Sequence, residues 1–137
     1  MKDLTLIEEY RDQIRQQELY VQELRSLIDG VKAVSYDKEA VQSSGSSDPM
    51  LECFIKIEQA EEKLKVLKGR YVRHCMNVID KIKRIPRTDY QKFLYLIYID
   101  DLTISQASEK MNWSYEYGKK QHTRALKEYQ SCPHDVP

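Results

Sequence analysis

The residues best equipped for chemistry lie in SEKMNWSYEYGKKQHTR, Ser108 to Arg124. At 3.6 residues per turn, Lys119, Lys120, Thr123 and Lys127 share one helix face, with Arg124 beside them and Tyr115, Glu116 and Tyr117 at the tip. Cationic side chains in such a row suit phosphates, and polar residues at the start of a helix suit base edges in a major groove. Glu116 can accept from a cytosine amino group. Ser114 is a good N-cap for this helix. Before it, Asn112 tolerates the left-handed backbone of a tight turn, Trp113 can close the core beneath that turn, and Ser108 is small enough for two helices to cross closely. The opposite face carries Gly118, Gln121, His122, Ala125 and Tyr129, so the basic side is expected to face outward. Ser114, Tyr115, Glu116, Tyr117, Lys119, Lys120, Thr123, Arg124, Lys127 and Arg87 form the expected DNA-binding set. Lys81, Lys83 and Arg84 are candidates for further backbone contacts.

No other chemistry is apparent. The chain has no Gly-rich phosphate loop, no HExxH and no nucleophile with a neighbouring base, so no enzyme, catalytic residue or cofactor is expected. Asp100-Asp101 reads as a turn. Cys53, Cys75 and Cys132 lack CxxC spacing and read as free thiols. His74 occupies a core-type position and is expected to be a packed, hydrogen-bonded histidine; Cys132 and His134 lack further ligands, so no metal is expected.

The elements that must position this face follow from the pattern. Charged residues make up 32% of the 137, and only four glycines and four prolines interrupt the chain, as suits a helical protein. No apolar run approaches the roughly 20 residues needed to span a bilayer, and the start has no secretion-signal layout. A cytoplasmic location away from membranes is expected. The zero net charge hides a split: residues 1–62 carry 7 basic and 14 acidic side chains, residues 63–137 carry 15 and 8. The second half therefore suits a polyanion.

Ile7, Ile14, Val21 and Ile28 recur every seven residues, each followed three places later by Tyr10, Gln17, Leu24 or Val31, forming a heptad seam. Gly30 is placed to end this helix in a left-handed cap, and residues 31–48 read as a long Ser- and Gly-rich loop. Asp48-Pro49 should open a second helix. Ile57, Leu64, Tyr71, Val78 and Ile85, with Ala60, Leu67 and His74 between them, carry it to about Arg84, a length of roughly 54 Å at 1.5 Å per residue. The two seams match an antiparallel hairpin, and the same residues would serve a homodimer. Pro86 marks a boundary. Thr88-Asp89-Tyr90-Gln91 and Thr103-Ile104-Ser105-Gln106 both spell a capping box, with Leu102 and Ala107 as a staple beside the second. They predict helices over 88–99 and 104–111, before a last one from Ser114 to about Tyr129.

The stretch IPRTDYQKFLYLIYIDDLTISQASEKMNWSYEYGKKQHTRALKEY, residues 85–129, resembles region four of bacterial sigma factors, which reads the promoter −35 element. Ile85-Pro86, Leu102-Thr103, Ser114 and Arg124-Ala125-Leu126 carry the likeness. The whole chain is similar to the ArpU/RinA-like phage and prophage transcriptional regulators of Gram-positive bacteria, which join a long helical part, a loop and a sigma-like motif. That resemblance implies control of phage late or packaging genes. Asn112 departs from it by replacing the usual turn glycine, and Gly118 and Gln121 replace apolar anchors. A helix-interior Gly costs up to about 1 kcal/mol and a lost Val or Leu forfeits roughly 1.5–3 kcal/mol of burial, against total stabilities of about 5–15 kcal/mol. Met111, Trp113, Tyr117 and Tyr129 are the available compensation.

The expected protein is thus all-α. Residues 1–85 form a long antiparallel, coiled-coil-like hairpin for assembly, residues 86–130 a sigma-region-four-like helix-turn-helix domain, and residues 131–137 a flexible tail. The expected partner is double-stranded DNA, with RNA polymerase and a second copy of the chain as further candidates. A terminase small-subunit-like packaging protein, and a module docking on RNA polymerase or a sigma factor, are the competing expectations.

Overall fold

The computed structural model describes residues 2–33 and 48–132, and among them the chain is helical without a strand. Five α-helices occur in it: α1 (Lys2–Ala33), α2 (Pro49–Ile82), α3 (Thr88–Leu94), α4 (Ile104–Lys110) and α5 (Tyr115–Ser131), with a wider π turn at Tyr95–Ile99. No described helix is long and apolar enough to cross a membrane. The helices divide between two compact units, residues 9–33 with 48–70 and residues 2–8 with 71–132.

The first unit is built on the two seams. Val21, Leu24, Ile28, Ile57 and Ala60 are buried together, with Met50 and Cys53 against them. Gln17 Nε2 donates to the Ala60 carbonyl at 3.0 Å and Cys53 Sγ to the Leu24 carbonyl at 3.6 Å, so contacts rise along one helix as they fall along the other. Arg25–Glu61 and Lys68–Glu18 ion pairs flank the seam. Asp48 opens α2 as expected, its Oδ1 accepting from the Met50 amide at 3.0 Å. Gly30, by contrast, does not end α1. One helical Gly costs only about 1 kcal/mol relative to Ala, and α1 continues to Ala33 with Val31 exposed. Residues 31–33 of the expected loop are therefore helical; residues 34–47, and 133–137 of the expected tail, lie outside the described residues.

In the second unit, Leu4, Ile7, Val78, Ile82, Ile85, Tyr90, Leu94, Ala125 and Tyr129 share a core. Pro86 lies inside this unit because apolar residues on both sides of it enter that core. The helix α2 closes with amides of Arg84 and Ile85 bonded to the carbonyls of Lys81 and Ile82 at 3.1 and 3.0 Å. Of the two capping boxes, Thr103–Gln106 forms in both directions. The Thr88 box does not: Arg87 is the N-cap, and Gln91 Nε2 donates instead to the Ile85 carbonyl at 2.7 Å. That bond secures the Pro86 turn. At the other end, Ser131 is still helical and Cys132 is buried, so the expected tail begins later than residue 131.

A polar node sits at the edge of this core. Tyr129, with none of its surface exposed, donates its hydroxyl to Asp3 Oδ2 at 2.6 Å. Lys81 Nζ lies 3.7 Å from the same oxygen and 4.3 Å from the Tyr129 ring centre. His74 Nε2 bonds the Asp3 carbonyl at 2.7 Å, as suits a packed histidine. Burial pushes the Asp3 carboxyl up, but the Tyr129 hydroxyl, the Lys81 charge and backbone amides outweigh it and hold it below the ordinary range. Burial, then the Asp3 hydrogen bond, raises Tyr129 far above an ordinary phenol. A carboxyl depressed on folding contributes stability above its unfolded pKa of about 3.9 that is lost as pH falls through the folded value. Asp3→Ala is expected to destabilise the protein by about 1–3 kcal/mol at pH 7. In urea melts the gap between wild type and variant should close below about pH 4; a gap that stays constant would remove the carboxylate from the account.

Candidate nucleic-acid interface

The candidate surface is formed by α4, the turn after it and α5. At that turn the Trp113 amide donates to the Ser108 carbonyl at 2.8 Å and the Asn112 amide to Glu109 at 3.0 Å. Asn112 takes φ 62°, the left-handed conformation expected of it. Asp101 does the same at φ 61°, making Asp100-Asp101 a turn between the π segment and α4. Ser114 Oγ then accepts from the Tyr117 amide at 3.1 Å and starts α5.

Gly118 explains why the two helices meet as they do. A Cβ built on it would lie 1.8 Å from Ser108 Oγ and 2.9 Å from Ser108 Cβ. No side chain fits there. The glycine that departs from the sigma-like pattern is thus matched to a small residue on α4, and close backbone approach stands in for the apolar side chain. Gln121, the other departure, is 2% exposed and accepts from the Tyr90 hydroxyl at 2.8 Å. Ala125 and Tyr129 complete the buried face, while His122 is half-buried. His122 Nε2 and the Tyr98 hydroxyl lie 2.9 Å apart with their rings stacked. Burial lowers the His122 pKa and raises that of Tyr98, so both stay neutral at pH 7.

The outward face holds the residues predicted to read DNA. Ser114, Tyr115, Glu116, Tyr117, Lys119, Lys120, Thr123, Arg124 and Lys127 are all exposed. Phe93, Trp113 and Tyr117 run from core to surface with ring centres 4.9 and 5.1 Å apart, which stiffens the tip of α5. Lys119 Nζ stands 3.7 Å from Glu116 Oε1 and 4.9 Å from the Tyr115 ring centre. Both partners are exposed, so this pairing is weak enough to yield to a stronger anion.

Arg87, although distant in sequence, belongs to the same region. Its NH1 donates to the Tyr90 hydroxyl at 3.0 Å, and Nε and NH2 bond Asp89 at 3.1 and 2.7 Å. Lys83 and Arg84 are exposed. Lys81 is not available: it is 7% exposed and turned to Asp3 and Tyr129, a correction to its expected backbone contact. Nothing in the sequence marks Tyr90, Tyr98 and Asp3 as partners of α5. A glutamine on a core face signals that some polar partner is needed, but no sequence spacing identifies it.

Among the described residues no group of three or more His, Cys, Asp or Glu is placed to hold a metal ion. Compared with known protein families, curated proteins and solved structures, the chain shows no significant match.

Gly118→Ala is expected to cost about 1–3 kcal/mol by overpacking, read as a lowered urea midpoint. Ser108→Ala should recover much of the loss, since the 1.8 Å overlap is with the hydroxyl, and Ser108→Gly should recover more by removing the 2.9 Å Cβ contact as well. No recovery with either variant would place the constraint elsewhere than in Ser108.

Proposed function

We propose that this protein is a phage-type transcriptional regulator that binds duplex DNA through a helix-turn-helix formed by α4, the Asn112 turn and α5. The observation that carries the reading is the two-sidedness of α5. One face is buried through Gly118, Gln121, Ala125 and Tyr129, and the other exposes four basic side chains behind a tip of Tyr115, Glu116 and Tyr117. A helix held by one face and tipped with polar and aromatic groups suits insertion into a major groove. Lys119, Lys120, Arg124 and Lys127 then serve phosphates, joined by Arg87, while the tip selects bases. The sigma-like resemblance of residues 85–129 supports control of transcription, of late or packaging genes by the wider likeness, with RNA polymerase as a second partner.

The long helices act in this reading as an assembly hairpin. In residues 9–70, Leu19, Tyr20, Leu27, Val31, Leu51, Phe54, Ile55 and Val66 are large, apolar and exposed. Such surface supports a homodimer, which would pair two half-sites. Ring stoichiometry would favour a packaging protein instead.

Fluorescence anisotropy on labelled duplex DNA across a salt series tests the proposal. Wild type should bind and weaken with salt. A Lys119→Glu, Lys120→Glu variant of unchanged helicity should lose most affinity, its salt slope shallower by about one unit for each phosphate it no longer neutralises. Binding without a salt slope would defeat the reading. Selection from a random duplex pool should return a motif that degrades when Tyr115, Glu116 and Tyr117 become Ala; an unchanged motif would remove these three from base selection.

A further inference from the structure

Gln121 is the least expected residue on the buried face of α5, and its partner leads out to the surface. Tyr90 is 2% exposed, and its hydroxyl donates to Gln121 Oε1 at 2.8 Å while accepting from Arg87 NH1 at 3.0 Å. The Arg87 guanidinium also lies over the Tyr90 ring, 4.1 Å from its centre. Asp89 takes the Nε and NH2 edge. A hydroxyl donates one hydrogen, so the direction of this chain is set: Tyr90 gives its proton to the glutamine and turns its lone pairs to Arg87.

These bonds occupy three of the five guanidinium N–H groups and leave one on each terminal nitrogen. The Arg87 side chain is 49% exposed, so those two can meet a ligand. The chain from Arg87 through the Tyr90 hydroxyl ends on Gln121 of α5. Arg87 therefore stands beside the proposed reading helix with its orientation already set from the core.

On the DNA-binding reading, we infer that Gln121 and Tyr90 are positioning residues that hold Arg87 as a preset phosphate clamp at the edge of α5. An arginine on a free surface must lose side-chain freedom on meeting a phosphate; one stacked on a ring and bonded at both edges has lost most of it in advance. The glutamine then links the clamp to the same helix that reads bases. A leucine at position 121 would pack α5 but leave the Tyr90 hydroxyl without its acceptor.

A double-mutant cycle tests this. Tyr90→Phe with Gln121→Leu removes both ends of the buried hydrogen bond together, which leaves no orphaned polar group and should preserve the fold. Circular dichroism and the melting temperature check that it does. The pair is expected to weaken binding to labelled duplex DNA roughly three- to tenfold where Arg87 is present, the scale of one ordinary hydrogen bond. In an Arg87→Ala background it should change nothing. Equal losses in both backgrounds would mean that Tyr90 and Gln121 only support the fold, and wild-type affinity in the pair would likewise overturn the inference. Should Tyr90→Phe with Gln121→Leu fail to fold, Tyr90→Phe alone is measured in the same two backgrounds with the same expectation. Loss of binding in Lys119→Glu, Lys120→Glu but not in Arg87→Ala would reject the clamp and retain the DNA-binding reading. No binding by wild type would reject both.

Discussion

The helix that presents the proposed interface can lie where it does only because Gly118 has no Cβ. Two helices ordinarily pack with axes 8–10 Å apart, set by the side chains between them, and a residue as small as alanine at this position would already overlap Ser108. The contact determines how deeply α5 sits on α4, which side of it is buried, and hence which side is offered to a ligand. Around it the turn is closed by Asn112 in the left-handed region and by the Trp113 amide on the Ser108 carbonyl. The small residues at 108 and 118 exchange side-chain burial for backbone proximity.

Three polar side chains on the inner face of α5 follow a common logic. Gln121 meets Tyr90, His122 meets Tyr98, and Tyr129 meets Asp3, so each polar side chain on the inner face of α5 reaches an aromatic hydroxyl or gives its own to a carboxylate. Each of these bonds has a required geometry. Apolar contacts would tolerate a rotation of α5 about its axis, whereas three hydrogen bonds spaced along two turns do not. Orientation of the outer face is thereby coupled to satisfaction of the inner one.

Much of the helical layout was legible. Most heptad positions fall on the less exposed stripe of the long helices, the exposed Val31 excepted; Asp48, Thr103 and Ser114 marked helix starts and Asn112 marked the turn, which depend on neighbours within four residues. The failures were also local, but each involved a competitor. Gly30 is a helix terminator only when the chain beyond it turns away, and Gln91 abandoned the Thr88 capping box for the carbonyl of Ile85 across the Pro86 turn. Lys81 read as a surface cation because the carboxylate it meets, Asp3, lies at the far end of the sequence.

Sequence alone determined the all-helical class, the two faces of α5 and the exposure of its basic residues, because the 3.6-residue period and cap chemistry act between residues a turn apart. Tertiary structure alone decided that Gly118 lies on Ser108, that Gln121 is bonded to Tyr90 31 residues away, and that Tyr129 is bonded to Asp3 126 residues away. A buried polar atom announces that it must be paired. Which partner it receives depends on the packing of whole helices, and that packing is a sum over contacts that no single spacing encodes.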